Sequence, residues 1–166
     1  MNKEGHEITL SMLSEADFFG ELSAIDGMPR AATVVALSPT TVFHITGAKF
    51  KELILSEIKI ANALLLVLAE RLRKTDEHIN SLWQNGAYGK VAAALIRIAE
   101  DFGTIKQGSV DITGIASHKN IASYAAVTRE TCSRAFAMFE KEGFIIKTRN
   151  NVTLTDYQAF KNRFKI

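Results

Sequence analysis

Cysteine is almost absent from this 166-residue chain: Cys132 stands alone. No internal disulfide can form, thiolate-built zinc or iron–sulfur centres lack their ligands, and a reducing, cytoplasmic setting is expected. Proline occurs only at Pro29 and Pro39, which leaves everything after residue 40 free of the residue that most reliably stops a helix. Long apolar runs are missing too. The longest, Ala63–Ala69, sits inside a charged-flanked helical pattern and falls far short of a membrane span, so no membrane contact is expected. The opening Met1-Asn2-Lys3-Glu4-Gly5 has no apolar signal core, and export is not indicated. His6, His44, His78 and His118 lack metal-ligand spacing such as i, i+4, so no metal site is expected. With no carboxylate pair, no Ser-His-Asp grouping and no P-loop legible, neither catalytic residues nor an enzyme are expected.

The composition that remains is ordinary for a globular chain, with 47% hydrophobic and 23% charged residues. The net charge of +2 conceals a split. Residues 1–86 carry 8 basic against 11 acidic side chains, and residues 87–166 carry 12 against 7. Phosphate contacts need local rather than overall positive charge, so the C-terminal half is the candidate for meeting a polyanion.

The N-terminal quarter reads as β. Glu7–Leu13 alternates loosely, Arg30–Leu37 is a β-branched run and Thr40–Ile45 is a further short strand, with a short helical piece at Phe18–Asp26. From Phe50 to Gln84 the pattern predicts one long helix. Its Ile58, Ala61, Leu65, Leu68, Leu72, Thr75, Ile79 and Leu82 keep a 3-4 spacing, the a/d seam of a parallel homodimer, although the same seam could pack on the chain's own β core. Ile60, Leu64 and Val67 form a second apolar stripe. Asn85-Gly86 then breaks the pattern and marks a hinge-like boundary.

Beyond it, Val91, Leu95, Ile98 and Ala99 mark a helix ending near Asp101 with Gly103 as its C-cap, and Val110–Thr113 reads as a strand. Ser117 can cap a helix over 118–125, and Thr128 a second from Arg129 to about Glu142, stopped by Gly143. A hairpin, Phe144–Lys147 and Val152–Thr155, turns at Asn150-Asn151, and Asp156 opens a last helix. Two short helices around a tight turn followed by a hairpin make a winged helix-turn-helix pattern.

Two constellations carry chemistry. In the first, Phe19-Gly20-Glu21-Leu22-Ser23 is followed by Pro29-Arg30-Ala31-Ala32-Thr33. A glycine-led helix start offers unpaired N–H groups to an anion, and Arg30 adds a fork of donors suited to phosphate. Glu21 makes sense there if the ligand also carries a hydroxyl, such as that of a ribose; the plainer reading is a surface turn with an Arg–Glu salt bridge. In the second, Arg129, Ser133, Glu130 and Arg134 fall within a roughly 140° arc of one helix, opposite Cys132, Ala135 and Phe139. Arginine suits the guanine O6/N7 pair and glutamate accepts from cytosine N4, whereas a merely solvated amphipathic helix is the plainer alternative. Cys132 reads as a small buried hydrophobe.

The first constellation resembles the phosphate-binding cassette of cyclic-nucleotide-binding domains. That resemblance implies that Arg30 grips the cyclic phosphate, Glu21 takes the ribose 2′-hydroxyl, and Gly20, Leu22, Ala31 and Ala32 shape the cradle, with cyclic AMP as the implied effector; Thr33 adds a hydroxyl beside them. Arg129-Glu130-Thr131-Cys132-Ser133-Arg134 resembles the recognition helix of the cyclic-AMP receptor protein and fumarate-nitrate regulator (CRP/FNR) superfamily, and the order of parts along the whole chain is similar too. The fold implied is α+β: a partial cyclic-nucleotide-binding β-roll over 1–55, a dimerisation helix over 56–84 and a winged helix-turn-helix domain over 85–166.

By the same resemblance Thr75 meets the adenine and Arg129, Glu130 and Arg134 contact bases, with Thr128 and Ser133 beside them; the basic Lys147 and Arg149 of the wing are expected to contact phosphates. The function implied is an effector-responsive transcription regulator that reads a palindrome in double-stranded DNA as a homodimer and meets RNA polymerase. A dimeric sensor or interaction module that binds a cyclic nucleotide or haem without reading DNA is the alternative. Three departures stand out. Asp76 replaces a hydroxyl residue, and Ala126 replaces a glycine in the turn. Family members also carry several strands before the segment at which Met1 falls, which implies either a fragment of a longer regulator or a partner that covers the strand edges.

Overall fold

The computed structural model describes residues 8–84, 86–114, 117–148 and 151–166. His6, Asn85, Arg149, Asn150 and the turn-rich opening lie outside the described residues. The chain divides into two compact units: Glu15–Ile79, and Asn80–Ile166 together with the described N-terminal residues up to Ser14.

The first unit is helical. Helix α1 (Glu21–Asp26) starts on Gly20 and stops on Gly27, both left-handed with φ of 81° and 75°. Helix α2 (Gly47–Ser56) is capped by Thr46, whose hydroxyl accepts from Lys49 N at 3.3 Å. Helix α3 (Ile58–Gln84) follows at once.

Two sequence expectations are corrected here. The single helix from Phe50 to Gln84 is two, because Glu57 is extended (φ −121°, ψ 94°); its N–H still bonds Leu53 O, while its carbonyl opens the next helix by accepting from Ile60 N and Ala61 N. Neither proline nor glycine marks that break. The strands expected at Glu7–Leu13, Arg30–Leu37 and Thr40–Ile45 are absent over the described residues 8–46. A β-branched run becomes a strand only when another backbone pairs with it, and Val34, Val35, Val42 and Phe43 lie exposed without such a partner strand.

The second unit begins at the end of α3 and continues into α4 (Ala87–Phe102), which is buried along most of its length from Val91 to Ala99. Gly103 caps it, in extended rather than left-handed backbone. Its role is close approach: a Cβ there would meet Ala99 O and the Val110 side chain, each at 2.3 Å. Strands β1 (Thr104–Lys106) and β2 (Ser109–Thr113) form a hairpin, of which only the second arm was expected. Helices α5 (His118–Tyr124) and α6 (Arg129–Lys141) follow, then β3 (Ile145–Lys147), β4 (Asn151–Leu154) and α7 (Tyr157–Phe164).

Among the described residues, all strands join one antiparallel sheet in the order β1-β2-β4-β3. Val110, Ile112, Ile145, Val152 and Leu154 turn inward, while Asp111 and Thr153 pair outward through a 2.6 Å hydrogen bond donated by the threonine. Under the sheet, α4 and the inner face of α6 close a core in which Phe139 stands edge-on to Phe160 and Phe164, 5.2 and 5.1 Å between centroids. The N-terminal segment lies on this unit: Met12 packs against its core and Thr9 Oγ1 donates to Ser123 Oγ at 2.9 Å.

Candidate functional site

The first unit holds the segment that resembles a phosphate-binding cassette. Gly20 favours glycine for its left-handed φ of 81°, and Arg30 Nη1 lies where a Cβ would stand, 2.6 Å away. That nitrogen donates to Gly20 O and to Ser23 Oγ, both at 2.6 Å, so the guanidinium is laid against the start of α1. Arg30, Ala31, Ala32 and Thr33 are exposed, as is Leu22, whereas Glu21 is buried.

Glu21 does not pair with Arg30. Its Oε1 accepts from Arg71 Nη1 at 2.9 Å, and Arg71 also donates to Phe18 O and lies over the Phe18 ring, 4.5 Å from its centroid. Asp17 approaches the same guanidinium at 4.0 Å. Arg71 thus fixes the carboxylate of Glu21 from α3, a link spanning 50 residues that no local signal reveals. One turn further along α3, Thr75 is exposed and donates its hydroxyl to Arg71 O at 2.8 Å. Residues four apart share a helix face, so Thr75 lies beside the arginine that holds the cassette carboxylate.

The second unit holds the basic face. Ser117 caps α5 by accepting from Asn120 N, and Thr128 caps α6 by accepting from Thr131 N at 3.2 Å. Between the helices, Ala126 takes a left-handed φ of 51°, which costs a non-glycine residue about 1 kcal/mol. On α6 the split read from the sequence is realised: Cys132, Ala135, Phe136 and Phe139 are fully buried, and Arg129, Glu130 and Arg134 are exposed. Burial pushes the Cys132 thiol up to about 11 and keeps it a protonated, inert hydrophobe. The backbone N–H of Glu130 and the Thr128 hydroxyl hold the Glu130 carboxyl below the usual carboxylate range. Near neutral pH that side chain is therefore an ionised acceptor.

Ser133 is half-buried, with its hydroxyl 3.0 Å from His118 Nδ1. The other ring nitrogen of His118 meets Lys147 Nζ of the wing at 2.8 Å. Sequence reading gave this histidine no role, since its partners lie 15 and 29 residues away.

The family model of the cyclic nucleotide-binding domain matches residues 1–57, and that of the Crp-like helix-turn-helix domain matches residues 89–163. The cAMP-activated global transcriptional regulator CRP of Escherichia coli O6:H1 is 32% identical over 87% of this chain and 69% of its own length. The chain belongs to the CRP/FNR family of transcription regulators.

Other members of the CRP/FNR family show how far the likeness extends. The CRP-like cAMP-activated global transcriptional regulator of Mycobacterium tuberculosis is 29% identical over 96% of this chain and 71% of its own length. A solved mutant of CooA from Carboxydothermus hydrogenoformans, 22% identical, superposes with a TM-score of 0.63 over 70% of this chain and 54% of its own, which shows a shared fold. The chain thus spans little more than half of that solved relative. Among the described residues, no helix is long and apolar enough to cross a membrane, and no group of three or more His, Cys, Asp or Glu side chains could hold a metal ion.

Proposed function

We propose that this chain reads double-stranded DNA through α6 and the β3–β4 wing, as a homodimer on a palindromic site, and that a cyclic nucleotide at the cassette controls the reading. The observation that carries the proposal is the face of α6. Arg129, Glu130 and Arg134 are exposed over a fully buried opposite face, in the more basic half of the chain. Such a helix presents guanidinium forks and a carboxylate in the combination that base edges of the major groove require. Lys147 and, outside the described residues, Arg149 are assigned to phosphates. Thr128 and Ser133 support them, the first through its cap and the second through His118.

In the cassette, Gly20 and the N–H groups that follow it, with Arg30, face the cyclic phosphate. Glu21, held by Arg71, accepts from the ribose hydroxyl, Leu22 and Ala31–Thr33 border the cradle, and Thr75 meets the base. Cyclic AMP is the proposed effector, by analogy with the names of the mycobacterial and enterobacterial relatives. RNA polymerase as a partner and the cytoplasm as the setting belong to the same proposal. A ligand touching the cassette and α3 shifts the regulator only by its differential affinity for two arrangements. Anisotropy titration of a palindromic duplex, with and without cyclic AMP, tests the whole. Cyclic nucleotide binding without any duplex binding would instead identify a sensor that does not read DNA.

Two variants test the parts. Glu130→Ala is expected to cost about 1–3 kcal/mol on a site with cytosine at the contacted position and to relax preference there. An equal loss on every duplex would return the charged face to a solvated surface. The second concerns the dimer. Ile58, Leu65, Leu72 and Ile79 lie on one seam of α3 and are 82%, 65%, 63% and 47% exposed, the condition under which a helix of about 40 Å gains by pairing. Leu68→Lys is expected to turn a dimer into a monomer in sedimentation equilibrium. A concentration-independent monomer for the unmutated chain would overturn the seam.

A further inference from the structure

His118 occupies the junction of α5, α6 and β3. It opens α5, its Nδ1 lies 3.0 Å from Ser133 Oγ on α6, and its Nε2 lies 2.8 Å from Lys147 Nζ on β3. Its ring stacks at a tilt on Phe136, 4.7 Å between centroids, and Lys147 sits 5.9 Å from the same aromatic centroid. The chemistry of the partners sets the tautomer. An ammonium has donors and no acceptor, so Nε2 must supply the lone pair, and the proton resides on Nδ1, which donates to Ser133. Neutral His118 therefore clasps the wing lysine to the recognition helix.

We propose that His118 is a proton-linked positioning residue of the DNA-facing surface: neutral, it ties Lys147 to Ser133, and on binding duplex DNA it takes up a proton and releases Lys147 to the phosphates. The inference rests on the DNA-reading function proposed above. Protonation puts a hydrogen on Nε2, which then faces an ammonium with no lone pair between them, and the contact must open. The charged groups facing the ring are Lys147 from β3 and Arg129 and Glu140 from α6. Lys119 adjoins it on α5.

In the free protein, burial first, then Lys147 and Arg129, hold the imidazole below its ordinary range, against the opposing pull of Glu140. Duplex phosphates that neutralise Lys147 and Arg129 remove that repulsion and supply an anion for the imidazolium. The sign follows from linkage. Binding that raises a group's pKa takes up a proton, so affinity grows as pH falls through the histidine range and levels off above it. Each unit by which the DNA raises the pKa is worth about tenfold in affinity at the acid limit.

The experiment uses the full 166-residue chain, with and without cyclic AMP, and a palindromic duplex of about three helical turns. Anisotropy is recorded between about pH 5.5 and 8 at constant ionic strength, and calorimetry in buffers of different ionisation enthalpy counts the protons taken up. H118Q is the decisive variant: its amide oxygen can accept from Lys147 and its amide nitrogen donate to Ser133, but it does not titrate. Wild type is expected to gain roughly tenfold in affinity towards acid pH beyond any gain of H118Q, with proton uptake that H118Q lacks. A K147A variant is expected to show a diminished uptake, since the repulsive neighbour is gone before DNA arrives. If wild type and H118Q bind the duplex with the same pH profile and the same proton count, the inference fails and the DNA-reading function stands. If wild type binds no duplex at any pH, both fall.

Discussion

Replacing Phe139 with alanine is expected to lower the stability of the winged-helix unit by about 3–5 kcal/mol, the range for emptying a fully buried phenylalanine site. Phe139 has no exposed surface and touches the centre of an aromatic cluster, edge-on to Phe160 and Phe164 and within 6.4 Å of Phe136 by ring centroid. The rings come from α6 and α7, so the cavity cannot close by moving one side chain. The loss exceeds what a surface change on α6 can produce, and it separates packing from reading. Urea denaturation followed by hydrogen exchange of the α6 amides measures it in the unit concerned, since a chain of two compact units need not unfold in one step. Full retention of the midpoint would mean that the core does not depend on this ring.

Arg30→Leu is expected to weaken cyclic AMP binding by about 2–4 kcal/mol, or roughly 30- to 700-fold in Kd. The substitution removes the guanidinium that bonds Gly20 O and Ser23 Oγ at the start of α1. It therefore removes both the positive fork proposed for the phosphate and the brace that holds the left-handed Gly20 turn. The two effects can be separated. Ser23→Ala deletes one of the brace contacts and leaves the fork, so it is expected to lose far less. Isothermal titration of the three proteins with cyclic AMP decides the matter, and equal affinities for wild type and Arg30→Leu would remove Arg30 from the site.

The halves of the chain differed in how legible they were. Thr128, Ser117 and Asp156 each cap a helix through an N–H only three residues on, and such signals are written in adjacent residues. The inner face of α6 was equally plain, because the 3.6-residue period alone sorts Cys132, Ala135 and Phe139 from Arg129, Glu130 and Arg134. Val34, Val35, Val42 and Phe43 were misleading in the other half. Their β-branched and aromatic character suits a strand, yet pairing is a property of two segments, and none of 8–46 is paired. The break at Glu57 was hidden for the opposite reason, since the residue itself favours a helix.

By itself the sequence determined the winged-helix pattern, the apolar repeat on α3, the glycine that starts α1 and the division of α6 into a buried and a charged face. Periodicity, capping and glycine placement are short-range, and they survive without knowledge of the fold. Only the tertiary structure decided that Glu21 answers to Arg71 rather than Arg30, that Gly103 is needed for contact with Val110 rather than for a left-handed turn, and that His118 joins Ser133 to Lys147. Each of these depends on side chains or backbone brought together from separate elements. Charge and shape at such contacts arise from packing, which spacing along the chain does not encode.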